Sequence, residues 1–192
     1  TKYNGEKVVV FKNGNFANGT TDWTLISSAT LTSNNNILSI TGNGTYGTTA
    51  AGQILPSSII GHKIFARALI RATNADCISL RLYINTPTSR YFKIISNPIQ
   101  NQWYDLSRIV TSTTEDTNMK LYIMHDYADN ITANGNVAEV KEVMLIDMTA
   151  EGLDALTVDE MKTKFPHWLK FGTKSTISAM RLKSVGKNLF DI

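Results

Sequence analysis

Residues 77–85 constrain this chain more than any other stretch. Ile78, Leu80, Leu82 and Ile84 alternate with Ser79, Arg81, Tyr83 and Asn85. Successive side chains of a β-strand point to opposite faces, so a period of two marks a strand with one buried and one exposed face. Similar short runs cover residues 6–11, 23–26, 37–40, 46–54, 62–72, 90–96, 102–111, 120–127 and 137–148. Turn residues separate them: Asn13-Gly14, Asn18-Gly19, Asn34-Asn35-Asn36, Gly42-Asn43-Gly44, Thr86-Pro87-Thr88-Ser89 and Asn134-Gly135. Asn and Gly suit such places because they tolerate positive φ. Strands at this spacing, with no strand–helix alternation, predict an antiparallel β-sandwich or barrel and exclude a parallel α/β sheet.

The texture changes after residue 148. Thr157 and Glu160 have the spacing of a capping box, and Val158, Met161, Lys162 and Phe165 follow helical periodicity up to Pro166. Residues 174–185 read as one more strand or an extended linker. The expected division is a sandwich over 1–148, followed by a short helix, strand and linker over 149–192.

Composition narrows the function classes. Hydrophobic residues make up 42% and charged residues 18% of the 192, which is the balance of a folded chain. The net charge of +3 comes from scattered Lys and Arg, so no basic stripe points to nucleic acid. No apolar run approaches the ~20 residues of a membrane-spanning helix, and no signal peptide is read at the N-terminus. The single cysteine, Cys77, opens the alternating run and reads as a small buried hydrophobe. His62, His125 and His167 lack metal-ligand spacing.

Catalytic signatures are missing too. The sequence has no Gly-x-Ser-x-Gly elbow, Walker loop or His-Glu-x-x-His. The carboxylates Asp105, Glu115, Asp116, Asp126, Asp129, Glu139 and Glu142 form no recognisable pair for glycoside hydrolysis. A non-enzyme is expected. A glycan hydrolase or esterase is the reading that released sugars would support.

The polar faces of the central strands offer a binding surface. Arg67, Arg71, Arg81, Tyr83, Asn85 and Tyr91, extended by Tyr122, Asp126 and Tyr127, are the candidate ligand contacts. Aromatic rings stack on the C–H faces of a pyranose, and Arg, Asn and Asp hydrogen-bond its hydroxyls. The same residue types also serve plain cross-strand packing. Trp23 and Trp103 are expected to plug the core and Trp168 to dock the helix.

Two stretches carry a family resemblance. Asn13-Gly14-Asn15-Phe16, then Asp22-Trp23, Gln102-Trp103-Tyr104 and a closing strand over 137–148, resemble carbohydrate-binding modules of the galactose-binding-like jelly-roll type. Met144 to Thr149, the helix ending near Phe165-Pro166, and Lys183 to Asp191 look like modules repeated in tail and minor structural proteins of phages of Gram-positive bacteria. Gly186 to Asp191 resembles the start of a next module, so the chain is expected to be a segment of a longer protein. The Gly-rich acidic loop usual in such modules is shortened here to Glu151-Gly152-Leu153-Asp154.

The resemblance implies a jelly roll on a phage tail or baseplate that binds host cell-wall carbohydrate, either wall polysaccharide or teichoic acid. Its other partners would be phage tail proteins, with neither nucleic acid nor membrane, and its place the virion. A structural spacer or oligomerisation module of a tail fibre, without its own ligand, is the alternative. The resemblance also implies a structural calcium between the Asn-Gly-x-Phe turn and an acidic residue of the last strand, which here means Asn13, Asn15 and Glu142. Glu142 stands where Asp is more usual, and a solvated or Lys-paired Glu142 is the other reading.

Overall fold

A computed structural model describes residues 12–26 and 29–165. The expected strands at 6–11 and 174–185, Trp168, His167 and the 183–191 signature lie outside the described residues. The described residues form ten strands: β1 (Thr24–Leu25), β2 (Ala29–Asn34), β3 (Ile37–Gly42), β4 (Thr48–Ile54), β5 (Lys63–Ala72), β6 (Ser79–Asn85), β7 (Arg90–Ser96), β8 (Tyr104–Thr111), β9 (Lys120–Asp126) and β10 (Val137–Asp147). Two short helices accompany them, α1 (Asn130–Ala133) and α2 (Val158–Lys164).

The strands build two five-stranded antiparallel sheets, in the orders β1-β4-β9-β6-β7 and β2-β3-β10-β5-β8. The fold is an antiparallel β-sandwich, as the alternation predicts, and it is of the jelly-roll type that the resemblance implies. Leu80, Leu82 and Ile84 of β6, Leu121 and Ile123 of β9, Ile64 and Ile70 of β5, and Val140 and Leu145 of β10 fill the space between the sheets. Burial of this apolar surface is the main drive for closing the two sheets on one another.

The sequence reading omits two elements. β2 pairs with β3 through Asn35 and Asn36, at φ 50° and 61°. Two central turn residues at positive φ mark the tight hairpin turn that Asn favours. α1 is capped by Asp129, which accepts a hydrogen bond from the Thr132 amide. The Thr157 capping box forms as expected, with both reciprocal hydrogen bonds present.

α2 lies on the outer face of the second sheet. A separate apolar cluster there joins Phe65, Met144 and Ile146 of the sheet to Met148, Leu153 and Met161. Arg67 fastens the helix end. Its Nε and Nη2 reach Asp105 at 3.0 and 2.8 Å, and its Nη1 donates to the Phe165 carbonyl at 3.1 Å. Lys162 of α2 also reaches Asp105, at 3.0 Å. Burial opposes ionisation of Asp105, but Arg67 and Lys162 outweigh it and hold its carboxyl below the usual range.

One polar group lies deep in the core. His125 of β9 is fully buried, with Nδ1 3.2 Å from the Tyr127 hydroxyl and Nε2 without a partner among the described residues. Burial, which disfavours the imidazolium, lowers its pKa from 6.5 to about 4 despite the nearby Asp126 carboxylate. Protonation therefore favours the unfolded chain. The contribution of the neutral His125 is complete above pH 6.5 and is lost as the pH falls from 6.5 towards 4, by on the order of 3 kcal/mol. Thermal unfolding followed at pH 7 and pH 4.5 should show this loss, and His125→Gln should flatten it. An unchanged slope in the variant would refute the assignment. Asp116 acts in a lower window. Burial opposes its ionisation, but hydrogen bonds from Thr113, Thr88 and Thr86 hold its pKa at about 2, so its contribution fades between pH 3.8 and 2.

Candidate functional site

Strand register sorts the exposed side chains of the first sheet into rows. One row runs Thr24–Gly52–Tyr122–Tyr83–Phe92 across five strands. The next runs Ala50–Met124–Arg81–Ile94, and beyond it lies Thr48–Asp126–Ser79–Ser96. On the other side, Ile54, Lys120, Asn85 and Arg90 form the flanking row. The outward alternation of residues 79–85 therefore meets two matching strands, and an aromatic row crosses the sheet at right angles to the chain direction.

The aromatic residues are closely packed. Tyr83 and Phe92 stack with centroids 4.4 Å apart and planes at 14°, while Tyr122 meets Tyr83 edge-on at 5.4 Å. Tyr83 and Tyr122 are each 8% exposed, so the row shows ring edges to solvent rather than open faces. The Tyr83 hydroxyl donates to Asn85 Oδ1 at 2.7 Å. Burial raises the Tyr83 pKa, which keeps the phenol protonated and able to donate. Gly52 makes the row possible: a Cβ there would collide with the Leu121 carbonyl and the Tyr122 ring.

A charged network borders the row. Asp126 accepts hydrogen bonds from Thr48 Oγ1 at 2.7 Å, from the Ser79 hydroxyl and from Arg81 Nη2. Its side chain is 10% exposed and that of Arg81 21%. Arg81 Cζ lies 6.0 Å from the Phe92 ring centroid. Its Nε is buried and has no partner among the described residues.

The structure thus gathers five of the expected contacts, Arg81, Tyr83, Asn85, Tyr122 and Asp126, on one face. Four others lie elsewhere. Arg67 fastens α2 on the second sheet. Arg71 is on the same outer face as Arg67, where it pairs with Glu139 at 2.5 Å. Tyr91 points towards the inside of the sandwich, its hydroxyl donating to the Thr111 carbonyl at 3.1 Å and its ring 5.8 Å from Arg108. Phe92, not Tyr91, belongs to the row. Hairpin arithmetic carries that signal. Four residues connect Asn85 to Arg90, which sets Phe92 opposite Tyr83. Tyr127 packs into the core rather than extending the surface.

The two tryptophans differ. Trp23 is buried against Phe16, with centroids 5.2 Å apart, and its Nε1 donates to the Asn13 carbonyl at 3.1 Å. Trp103 is not a core residue. It is half-buried on the outer face of the second sheet, between Arg71 and Lys141. Cys77 is buried, and burial pushes its thiol up to about 11, which leaves it protonated and unreactive at neutral pH.

The turn that the resemblance assigns to calcium does approach the last strand. A bulge at 141–144 gives Glu142 a φ of 56°, and the Val143 amide donates to the Gly14 carbonyl at 2.8 Å. The residues do not make an oxygen cage. Asn13 Nδ2 donates to the carbonyls of Gly19 and Thr21 at 3.0 and 2.8 Å, while its Oδ1 accepts from the Asn18 amide at 3.1 Å. Two carbonyls require the NH₂ and one amide requires the oxygen, so the network fixes the orientation. Asn15 Oδ1 accepts from the Ala17 amide at 3.3 Å. Calcium needs six to eight oxygens turned towards it, and here the carbonyls face an amide group. Among the described residues no three His, Cys, Asp or Glu side chains cluster as a metal site.

No protein-family profile and no curated protein sequence matches the chain. Solved structures do. A xylan-binding domain of carbohydrate-binding module family 22 superposes with a TM-score of 0.56 at 13% identity, over 74% of this chain and 96% of that one. A family 61 module solved with β-1,4-galactotriose gives 0.51 at 9%, over 72% and 98%. The enzymatically active domain of tailspike protein 4 from bacteriophage CBA120 gives 0.53 at 11%, over 72% of this chain and 21% of that one. The chain likewise spans only 26% of an α-L-arabinofuranosidase that it matches. These likenesses show the jelly-roll fold.

Proposed function

We propose that this chain is a non-catalytic glycan-binding module of a phage tail or baseplate, displayed on the virion to hold host cell-wall polysaccharide or teichoic acid. The observation that carries the reading is Arg81 Nε, a buried donor with no partner among the described residues, beside an aromatic row. A buried unsatisfied donor costs about 1–3 kcal/mol, and a saccharide oxygen would satisfy it. Ile94 lies opposite Arg81 in that donor's own row and Phe92 in the adjacent one, and both offer apolar surface to the C–H face of a sugar. The similarity in fold to modules solved as xylan- and galactotriose-binding proteins, and to a phage tailspike domain, agrees with this assignment.

Purified host walls and a glycan array test it. The chain should bind at least one wall glycan, and Arg81→Ala with Tyr83→Ala should weaken that binding at least tenfold. Binding that survives the double variant moves the site elsewhere. Failure to bind any wall preparation defeats the function, and sugars released from walls by the purified protein would make it an enzyme.

A further inference from the structure

The outer face of the second sheet carries a second polar surface, remote from the aromatic row. Register places Glu139 beside Arg71 and Lys141 beside Leu69, with Asp105 on the far side of Leu69. Trp103 closes this patch. Arg71 Cζ is 4.7 Å and Lys141 Nζ 4.3 Å from its ring centroid. The contacts are cation–π interactions, and a half-buried ring with cations over it remains partly open to solvent.

The charges do not balance. Among the described residues, the contacts on this face join four cations, Arg67, Arg71, Lys141 and Lys162, to two carboxylates, Asp105 and Glu139, and to the Trp103 ring. Arg67 and Lys162 use Asp105, and Arg71 uses Glu139. Among the described residues no carboxylate pairs with Lys141, whose ammonium rests on the indole instead. A solvated surface lysine can swing to a ligand at little cost, whereas the Arg71 guanidinium is already held in place.

We infer that this face is a second binding site, for a sugar or polyol unit bearing a negative charge. The anionic group would sit between Lys141 and Arg71, with the indole edge of Trp103 against the carbon skeleton of that unit. The inference takes from the proposed function only that the ligand is a polyhydroxylated wall polymer. Its residues are on the opposite sheet, so the two sites can fail separately.

Titration calorimetry on the 192-residue chain tests it with three probes: poly(glycerol phosphate), polygalacturonate and neutral xylan. Both anionic polymers should bind, and binding should weaken at least fivefold at on the order of 0.5 M salt, where charge–charge attraction is screened. Lys141→Gln should weaken anionic binding at least fivefold. Glu139→Gln, which removes the competing carboxylate, should strengthen it about twofold to threefold by the same electrostatic logic. A purely structural role for Glu139 would not give that gain. In a Tyr83→Ala background, Lys141→Gln should still weaken polygalacturonate binding at least fivefold, because the two residues lie on opposite sheets. Binding of poly(glycerol phosphate) alone would assign the site to a phosphodiester, and binding of polygalacturonate alone to a carboxylate. No binding of either polymer, or binding indifferent to both Lys141→Gln and Glu139→Gln, overturns the inference.

Discussion

Asp126→Ala should lower the unfolding free energy by about 3–5 kcal/mol and abolish glycan binding at the first sheet. Asp126 is the hub of the network bordering the aromatic row. It accepts from the hydroxyls of Thr48 and Ser79 and from the Arg81 guanidinium, and its side chain is 10% exposed. Removing it strands a mostly buried cation that already has one unsatisfied donor, Nε. Leaving a charge buried without its partner costs far more than the net worth of the pair. The row would also lose its polar border. Asp126→Asn should fall between wild type and alanine, since the amide oxygen still accepts from a hydroxyl but carries no charge. Urea unfolding gives the energy and glycan affinity gives the function. A stability loss below about 1 kcal/mol would show that the pair behaves as an ordinary surface bridge.

Gly52→Ala should be nearly as damaging, for a steric reason. The added Cβ would fall against the Leu121 carbonyl and the Tyr122 ring, both well inside van der Waals contact. The carbonyl belongs to the β4–β9 ladder and cannot move alone. The ring is held by Tyr83, which is held by Phe92. Overpacking of this kind costs about 1–3 kcal/mol, and a clash with backbone places the expected loss at the upper end. The variant should also lose glycan affinity, because the displaced Tyr122 pushes the row out of register. A Tyr122→Ala second change removes the ring clash but not the carbonyl clash. It should therefore restore only part of the stability and none of the binding. Full recovery of stability in the double variant would contradict the backbone argument.

Much of the architecture was readable before any coordinates. Residues 79–85 alternate as they do because one face packs on the core, and the burial pattern of β6 follows them. β2 escaped notice for a definable reason. Ala29 and Leu31 are the apolar residues on its inward face, and its Thr, Ser and Asn residues resemble loop composition. The Asn35-Asn36 pair was the better signal, because two residues at positive φ join strands in register. The exchange of Phe92 for Tyr91 has the same character. A slip of one residue moves every side chain to the other face, so the length of the 86–89 connection had to be counted rather than judged. The sequence leaves the place of Trp103 open, because a large aromatic ring is at home both in a core and on a sheet face under cations.

The pleat sets that alternate side chains of a strand share a face, and this is legible without any neighbouring strand. Only the tertiary structure decided which outward residues share a surface. Arg67, Arg71, Arg81 and Tyr83 all alternate outward, yet β5 and β6 belong to different sheets, so their faces point away from each other. Strand order is set by long-range pairing and by the joint burial of two apolar faces, and no local period records it. For the same reason the sequence offered one row of Arg and Tyr, and the fold divided it into an aromatic row around Tyr83 and a separate cationic face around Trp103.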